Sequence, residues 1–210
     1  MSDEGTKERI LKAASNVFCE KGFEKTTVRD ICTEANANVA AVNYHFGDKG
    51  KLYQAVLQSW MNECIQDGQH THGVTPETSP EERLRIYIRA EINFLGTHND
   101  TDDIMLKRSR LLLREVTRDD PDPMTFQSHL EHEARVLHPI IRELVGELQN
   151  EEVFQQACIA ATGIITHDFI MSIHDPTQRL QSDEQIEARA DFLTAYALGG
   201  LKAIKEKYHA

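Results

Sequence analysis

Between Thr6 and Lys21 the apolar residues Ile10, Leu11, Ala14, Val17 and Phe18 recur three to four positions apart, so one stripe of a helix is apolar. Gly22 then offers a C-terminal stop. The next apolar set, Val28, Ile31 and Ala35, follows Thr26 and Thr27, either of which suits an N-cap. Asp30 lies three residues after Thr27, close to a capping-box arrangement. "NAN", Asn36 to Asn38, interrupts, because Asn enters the left-handed region more readily than most residues with a side chain. A short helix is expected from about Val39 to Phe46. Asp48 caps a fourth, whose inner face is Leu52, Tyr53, Val56, Leu57 and Trp60.

Gly, Thr and Pro dominate "QDGQHTHGVTPETSPEERL", which reads as a linker. Five more helical segments are expected beyond it, at about Pro80–Thr97, Asp102–Thr117, Pro123–Leu148, Glu151–Ile173 and Asp183–Tyr208. Long alternating β-branched runs are missing. The reading is all-α: an N-terminal three-helix, helix-turn-helix domain over 1–57 and a larger helical body over 58–210.

The third segment poses a question. Val42 and Phe46 share one side of it, and its other positions are small or polar: Ala40, Ala41, Asn43, Tyr44 and His45. That is a poor core helix. It suits a helix laid in a DNA major groove, where small residues let the backbone approach base edges and Asn pairs with adenine or a phosphate. Tyr44, His45 and Lys49 suit phosphate contacts, as do the amides that begin the helices and the Thr27 hydroxyl. A plain packing unit is the alternative at this point.

Net charge is −11, which argues against nucleic acid only until its distribution is read. Up to Leu57 eight Lys and Arg balance eight Asp and Glu, so the whole acidic excess lies in the body. A neutral head keeps a local cationic surface available, with the acidic part held away from phosphates. No run of about 18 apolar residues occurs, so no membrane span is expected. The polar start "MSDEGTKERI" makes the cytoplasm the default. Cys19, Cys32, Cys64 and Cys158 form no C-x-x-C pair, and buried free thiols are expected.

The pieces "ILKAASNVFCEKGFEKTTVRDIC" and "VNYHFGDKGKLYQAVL" shift the balance toward DNA. Together, from Thr6 through Leu57, they resemble the N-terminal domain of TetR-family transcriptional regulators. The resemblance implies DNA contacts from Thr27, Arg29, Asn38, Val39, Ala40, Ala41, Asn43, Tyr44, His45 and Lys49. It also implies a homodimer on a dyad-symmetric operator, and repression relieved by a small molecule in the C-terminal domain. The turn departs from the family's usual Ala-Gly-Val: Asn36 takes the Gly place and Ala37 the Val place.

Two segments of the body suit dimerisation, at about 151–173 and 183–208, and a pair from each subunit would build a four-helix interface. The stretch "RLLLREVTRDDPDPMTFQSHLEHEARVLHPIIRELVGEL" bears a more limited likeness to the C-terminal domain of the CerR-like subgroup. That likeness places an effector pocket among the middle helices, with Phe94, Met105, Arg110, Arg114, Phe126, His129, His167 and Phe169 as candidate contacts. Core packing and surface ion pairs are the alternative roles for these residues. His129 and His132, three apart, have metal-ligand spacing, so a metal-responsive regulator is a second reading. A helical interaction protein without DNA binding is a third. The chain has no nucleophile elbow, phosphate-binding glycine loop or H-E-x-x-H, and neither a catalytic residue nor a cofactor is expected.

Overall fold

The structure, a computed structural model, describes residues 3–66, 74–94, 103–116, 123–178, 180 and 182–209. The regular elements among them are helical: α1 (Asp3–Lys25), α2 (Val28–Ala35), α3 (Val39–Phe46), α4 (Lys49–Gln66), α5 (Pro80–Phe94), α6 (Asp103–Val116), α7 (Pro123–Val145), α8 (Glu151–His174) and α9 (Asp183–Tyr208), with a 3-10 turn at Pro176–Gln178. No described helix is long and apolar enough to cross a membrane.

Met1–Gln66 and Asp102–His129 form one compact unit, and Asp67–Thr101 with Leu130–Ala210 form a second. The first unit therefore extends past Leu57, through the rest of α4, and takes in α6 as well. Its core is the expected apolar stripe. Ile10, Ala14, Val17 and Phe18 of α1 and all five predicted residues of α4 are buried, while Leu11 is half-buried. Phe18 meets Tyr53 edge-on at 4.9 Å, and Phe23 sits 4.8 Å from the same ring.

α1 starts at Asp3, earlier than the periodicity indicated, because the polar first turn is solvated and leaves no apolar signal. Its regular geometry stops at Gly22 (φ 73°, ψ 167°), a combination that only glycine adopts without strain. The carbonyl freed there accepts from the Thr26 hydroxyl at 2.7 Å. Thr26 is consequently buried inside the turn, and Thr27 is the cap of α2.

α2 ends at Asn36, which holds the left-handed conformation (φ 46°, ψ 52°) while its amide donates to Cys32 and Thr33 carbonyls. Asn fills the place that glycine would take at lower strain. Asn36→Ala is expected to cost about 1 kcal/mol, and Asn36→Gly to be close to neutral, in urea denaturation of the full chain. Equal stability for the Ala and Gly variants would show that this conformation carries no strain.

In the second unit α5, α8, α9 and the α7 segment from Leu130 enclose Leu84, Tyr87, Ile88, Ile141, Phe154 and Ala190, among others. Ion pairs surround this core. Arg85 binds Glu187 at 2.5 Å and Asp191 at 2.6 Å, and Arg89 also binds Glu187, which clasps α5 to α9. α7 ends at Val145, not at Leu148 as the apolar pattern suggested. Gly146 takes φ 70°, and Leu148 leaves the helix to bridge His209, with the Gln149 amide donating to the Tyr208 carbonyl at 2.9 Å. Three of the four cysteines fall on described side chains, and all three, Cys19, Cys32 and Cys158, are buried free thiols. Burial pushes the Cys19 thiol up to about 11.

Candidate nucleic-acid interface

α3 is fixed at both ends. The Asn38 side-chain oxygen accepts from the Ala41 amide at 2.8 Å, and Gly47 closes the helix with its amide on the Asn43 carbonyl. Only Val42 of this helix is fully buried; Phe46 is half-buried beside it. The opposite side is open. Val39, Ala40, Asn43 and Tyr44 are exposed, Tyr44 at 77%, and Ala41 is half-buried. The Tyr44 ring stands on the His45 imidazole at 5.0 Å, edge to face, so the phenol projects outward from a stacked base.

The preceding helix is tied into the same surface. Thr27 and Asp30 form a complete capping box: the Asp30 amide donates to the Thr27 hydroxyl oxygen, and the Thr27 amide and hydroxyl both donate to the Asp30 carboxylate at 2.8 and 2.7 Å. Lys21 of α1 donates to the other carboxylate oxygen at 2.8 Å. Arg29 is exposed one residue earlier. The first amides of α3, at Val39 and Ala40, head a helix start with its partial positive charge.

The Lys21 ammonium, followed by the Thr27 hydroxyl and amide, holds the Asp30 carboxyl well below the usual carboxylate range. A depressed acid stabilises the fold above its ordinary value and loses that contribution as pH falls. Acidification from pH 5 toward pH 3 is expected to lower the thermal midpoint of the natural chain. Asp30→Asn would start from a lower midpoint at pH 6 and show a flatter acid response. A parallel pH profile for the two chains would remove Asp30 from the acid sensitivity.

Lys49 also packs against the α1–α2 turn. Its ammonium donates to the Phe23 and Thr26 carbonyls at 3.0 and 3.1 Å and lies 4.2 Å from the Phe23 ring centroid. Two of its three donors are thus spent holding the start of α4 against the α1–α2 turn, which leaves one for a phosphate. Arg9 is a positioning residue that sequence reasoning missed. Its guanidinium donates to the Ala35 carbonyl at 3.1 Å and steadies the turn between α2 and α3. The partners are 26 residues apart, so no local pattern could reveal them.

The candidate effector contacts are divided between the two units. Met105, Arg110, Arg114, Phe126 and His129 belong to the first unit, and Phe94, His167 and Phe169 to the second. Arg110, Arg114 and His167 are exposed, and Phe169 is buried core. The side chains of Phe94, Met105, Phe126, His129 and His132 lie outside the described residues.

Residues 10–56 match the family model of bacterial regulatory proteins, tetR family. The chain is 28% identical over 147 residues to "Probable HTH-type transcriptional regulator YttP" of Bacillus subtilis, covering 70% of this chain and 67% of that protein. It is 29% identical over 117 residues to the HTH-type transcriptional dual regulator CecR of Shigella flexneri, covering 56% of this chain and 47% of CecR. The match thus spans two thirds of one relative and under half of the other. The fold resembles that of the fatty acid degradation regulator FadR from Bacillus halodurans, with a TM-score of 0.70 at 17% identity over 93% of this chain and 96% of that one.

Proposed function

We propose that this chain, a DNA-binding transcriptional regulator of the TetR family, acts as a homodimeric repressor. It occupies a dyad-symmetric operator and leaves it when a small molecule binds the helical body. The observation that carries the DNA part is the division of α3 into one buried seat, Val42, and an outward set of small, amide and phenol side chains. In the groove Ala40 and Ala41 allow close approach, Asn43 reads a base edge, and Tyr44 and the helix-start amides hold phosphates. Repression follows from occupancy, since a protein seated on a promoter excludes polymerase. Release by an effector rests on the family resemblance.

The dimer reading has its own support. α8 and α9 leave Ile159, Met171, Phe192 and Tyr196 exposed, apolar surface that a second copy would bury. Phe192 and Tyr196 stand four apart on α9, with Gly199 and Gly200 one turn further along the same face. An added Cβ at either glycine meets no atom within 4 Å, so a second helix can approach there. Two copies would share this face about a two-fold axis and present two α3 helices to successive major grooves.

Genomic fragments bound by the purified chain at low salt, against bulk competitor DNA, test the reading. Once a fragment is in hand, Tyr44→Ala is expected to weaken binding about tenfold on every sequence. Asn43→Ala is expected to change preference at one base position per half-site by about 1–3 kcal/mol and to leave the others alone. A uniform loss for Asn43→Ala would take Asn43 out of base readout. Failure to prefer any fragment would end the reading itself.

A further inference from the structure

Within the first unit, residues of α1, α4 and α6 line an open cavity of about 360 Å³ that includes no residue of α3 or of the second unit. Its walls separate by chemistry. Leu11, Val56 and the Trp60 indole supply an apolar side, and Ser15, Ser59 and Arg108 a polar one. Glu8 and Lys12 also line it, so the lining carries one net positive charge in a chain of net charge −11.

On the polar side Ser15 is buried, and Ser59 and Arg108 are half-buried. Ser15 is 6% exposed and Trp60 3%. The Ser15 oxygen accepts from the Trp60 indole N–H at 3.1 Å and from an Arg108 guanidinium N–H at 3.4 Å. With both acceptances made, the Ser15 hydroxyl still has its own proton to give, and it has no acceptor among the described residues. The Arg108 guanidinium lies 5.2 Å from the Trp60 ring centroid, which holds the cation against the indole. A cation and a hydroxyl donor therefore converge beside a flat apolar wall, in a space within the range of small-molecule sites.

We propose that this cavity is a binding site for a monocarboxylate with a flat apolar body. The carboxylate accepts from Arg108 and from the Ser15 hydroxyl, and the body packs on Leu11, Val56 and Trp60. An occupant touches three helices at once. α4 carries Trp60 near one end and begins beside the α1–α2 turn at the other, so occupancy bears directly on the frame that seats α3.

Trp60 is the only tryptophan of the chain, so its emission reports this cavity and no other. The full-length protein is titrated without DNA, in parallel, with 3-phenylpropionate and with the neutral 3-phenylpropan-1-ol. A saturable change is expected with the acid, and the alcohol is expected to bind at least about tenfold more weakly, since it offers no charge-assisted hydrogen bond. Arg108→Met is expected to bring acid and alcohol to the same weak affinity. Ser59→Leu, which fills the wall, is expected to abolish both responses while helical circular dichroism is kept. Should either variant fail to fold, the acid–alcohol comparison on the natural chain decides alone. No saturable response below about 10 mM, equal affinity for acid and alcohol, or an acid response untouched by both substitutions would each overturn the site. None of these outcomes depends on whether the chain binds an operator.

Discussion

A chain carrying Phe192→Asp together with Tyr196→Asp is expected to sediment as a monomer at micromolar concentration. Its affinity for a dyad-symmetric operator is expected to fall between about a hundredfold and ten-thousandfold. The two side chains are 67% and 66% exposed on one face of α9, so the substitutions remove no core contact from the subunit. In the proposed dimer they act on the paired state instead. At a two-fold interface each carboxylate is duplicated, and four anions enter an apolar surface with no cation supplied to match them. The operator loss follows by geometry, because two recognition helices joined in one particle bind the second half-site at high effective concentration and two separate subunits do not. Sedimentation velocity and a fluorescence anisotropy titration check the two halves separately. A double variant that stays dimeric would move the interface away from α9. A monomer with undiminished operator affinity would remove the dyad from the account.

Val42→Asp is expected to do the reverse, leaving the dimer intact and abolishing DNA binding by at least about a hundredfold. Val42 is the one fully buried side chain of α3 and has no solvent exposure. A carboxylate there has no cation assigned to it, and burying it costs several kcal/mol whether it stays charged or takes up a proton. α3 has eight residues and is marginal without its tertiary seat, so the cheapest response is for it to leave that seat. Val42→Ala is the control. It removes about 2 kcal/mol of packing without introducing charge and is expected to weaken binding only modestly. If Val42→Asp bound the operator as the natural chain does, α3 would not be the reading element, whatever its exposure.

The elements legible in advance were those whose determinants are local. Asn38 and Gly47 bound α3 within the residues they cap, and the stripe from Leu52 to Trp60 is buried in full because one helix face has one fate. Asp183 to Tyr208 was legible for the same reasons, with Ser182 accepting from the Gln185 amide at its start. What escaped depends on pairs far apart in the chain. Arg9 on Ala35, Lys49 on Phe23, Ser15 on Trp60 and Arg85 on Glu187 are separated by 26, 26, 45 and 102 residues, and no periodicity relates them. Lys49 shows the consequence most plainly. As a letter in the sequence it is a cation next to a helix expected to enter a DNA groove. In the fold its ammonium finds two carbonyls left open where Gly22 breaks α1, and it spends most of its donors there. The end of α7 was misplaced for a related reason. Leu148 is apolar at a helical spacing, but its partner is His209, at the other end of the second unit's sequence.

The seat of α3 and its outward face are different residues, and this division has an evolutionary meaning. Val42 and the caps Asn38 and Gly47 answer to folding, whereas Ala40, Asn43 and Tyr44 answer to whatever lies opposite them. On the proposed reading, a lineage could exchange the second set at little risk to stability, and a duplicated copy could drift toward new promoters while the scaffold beneath it stands still.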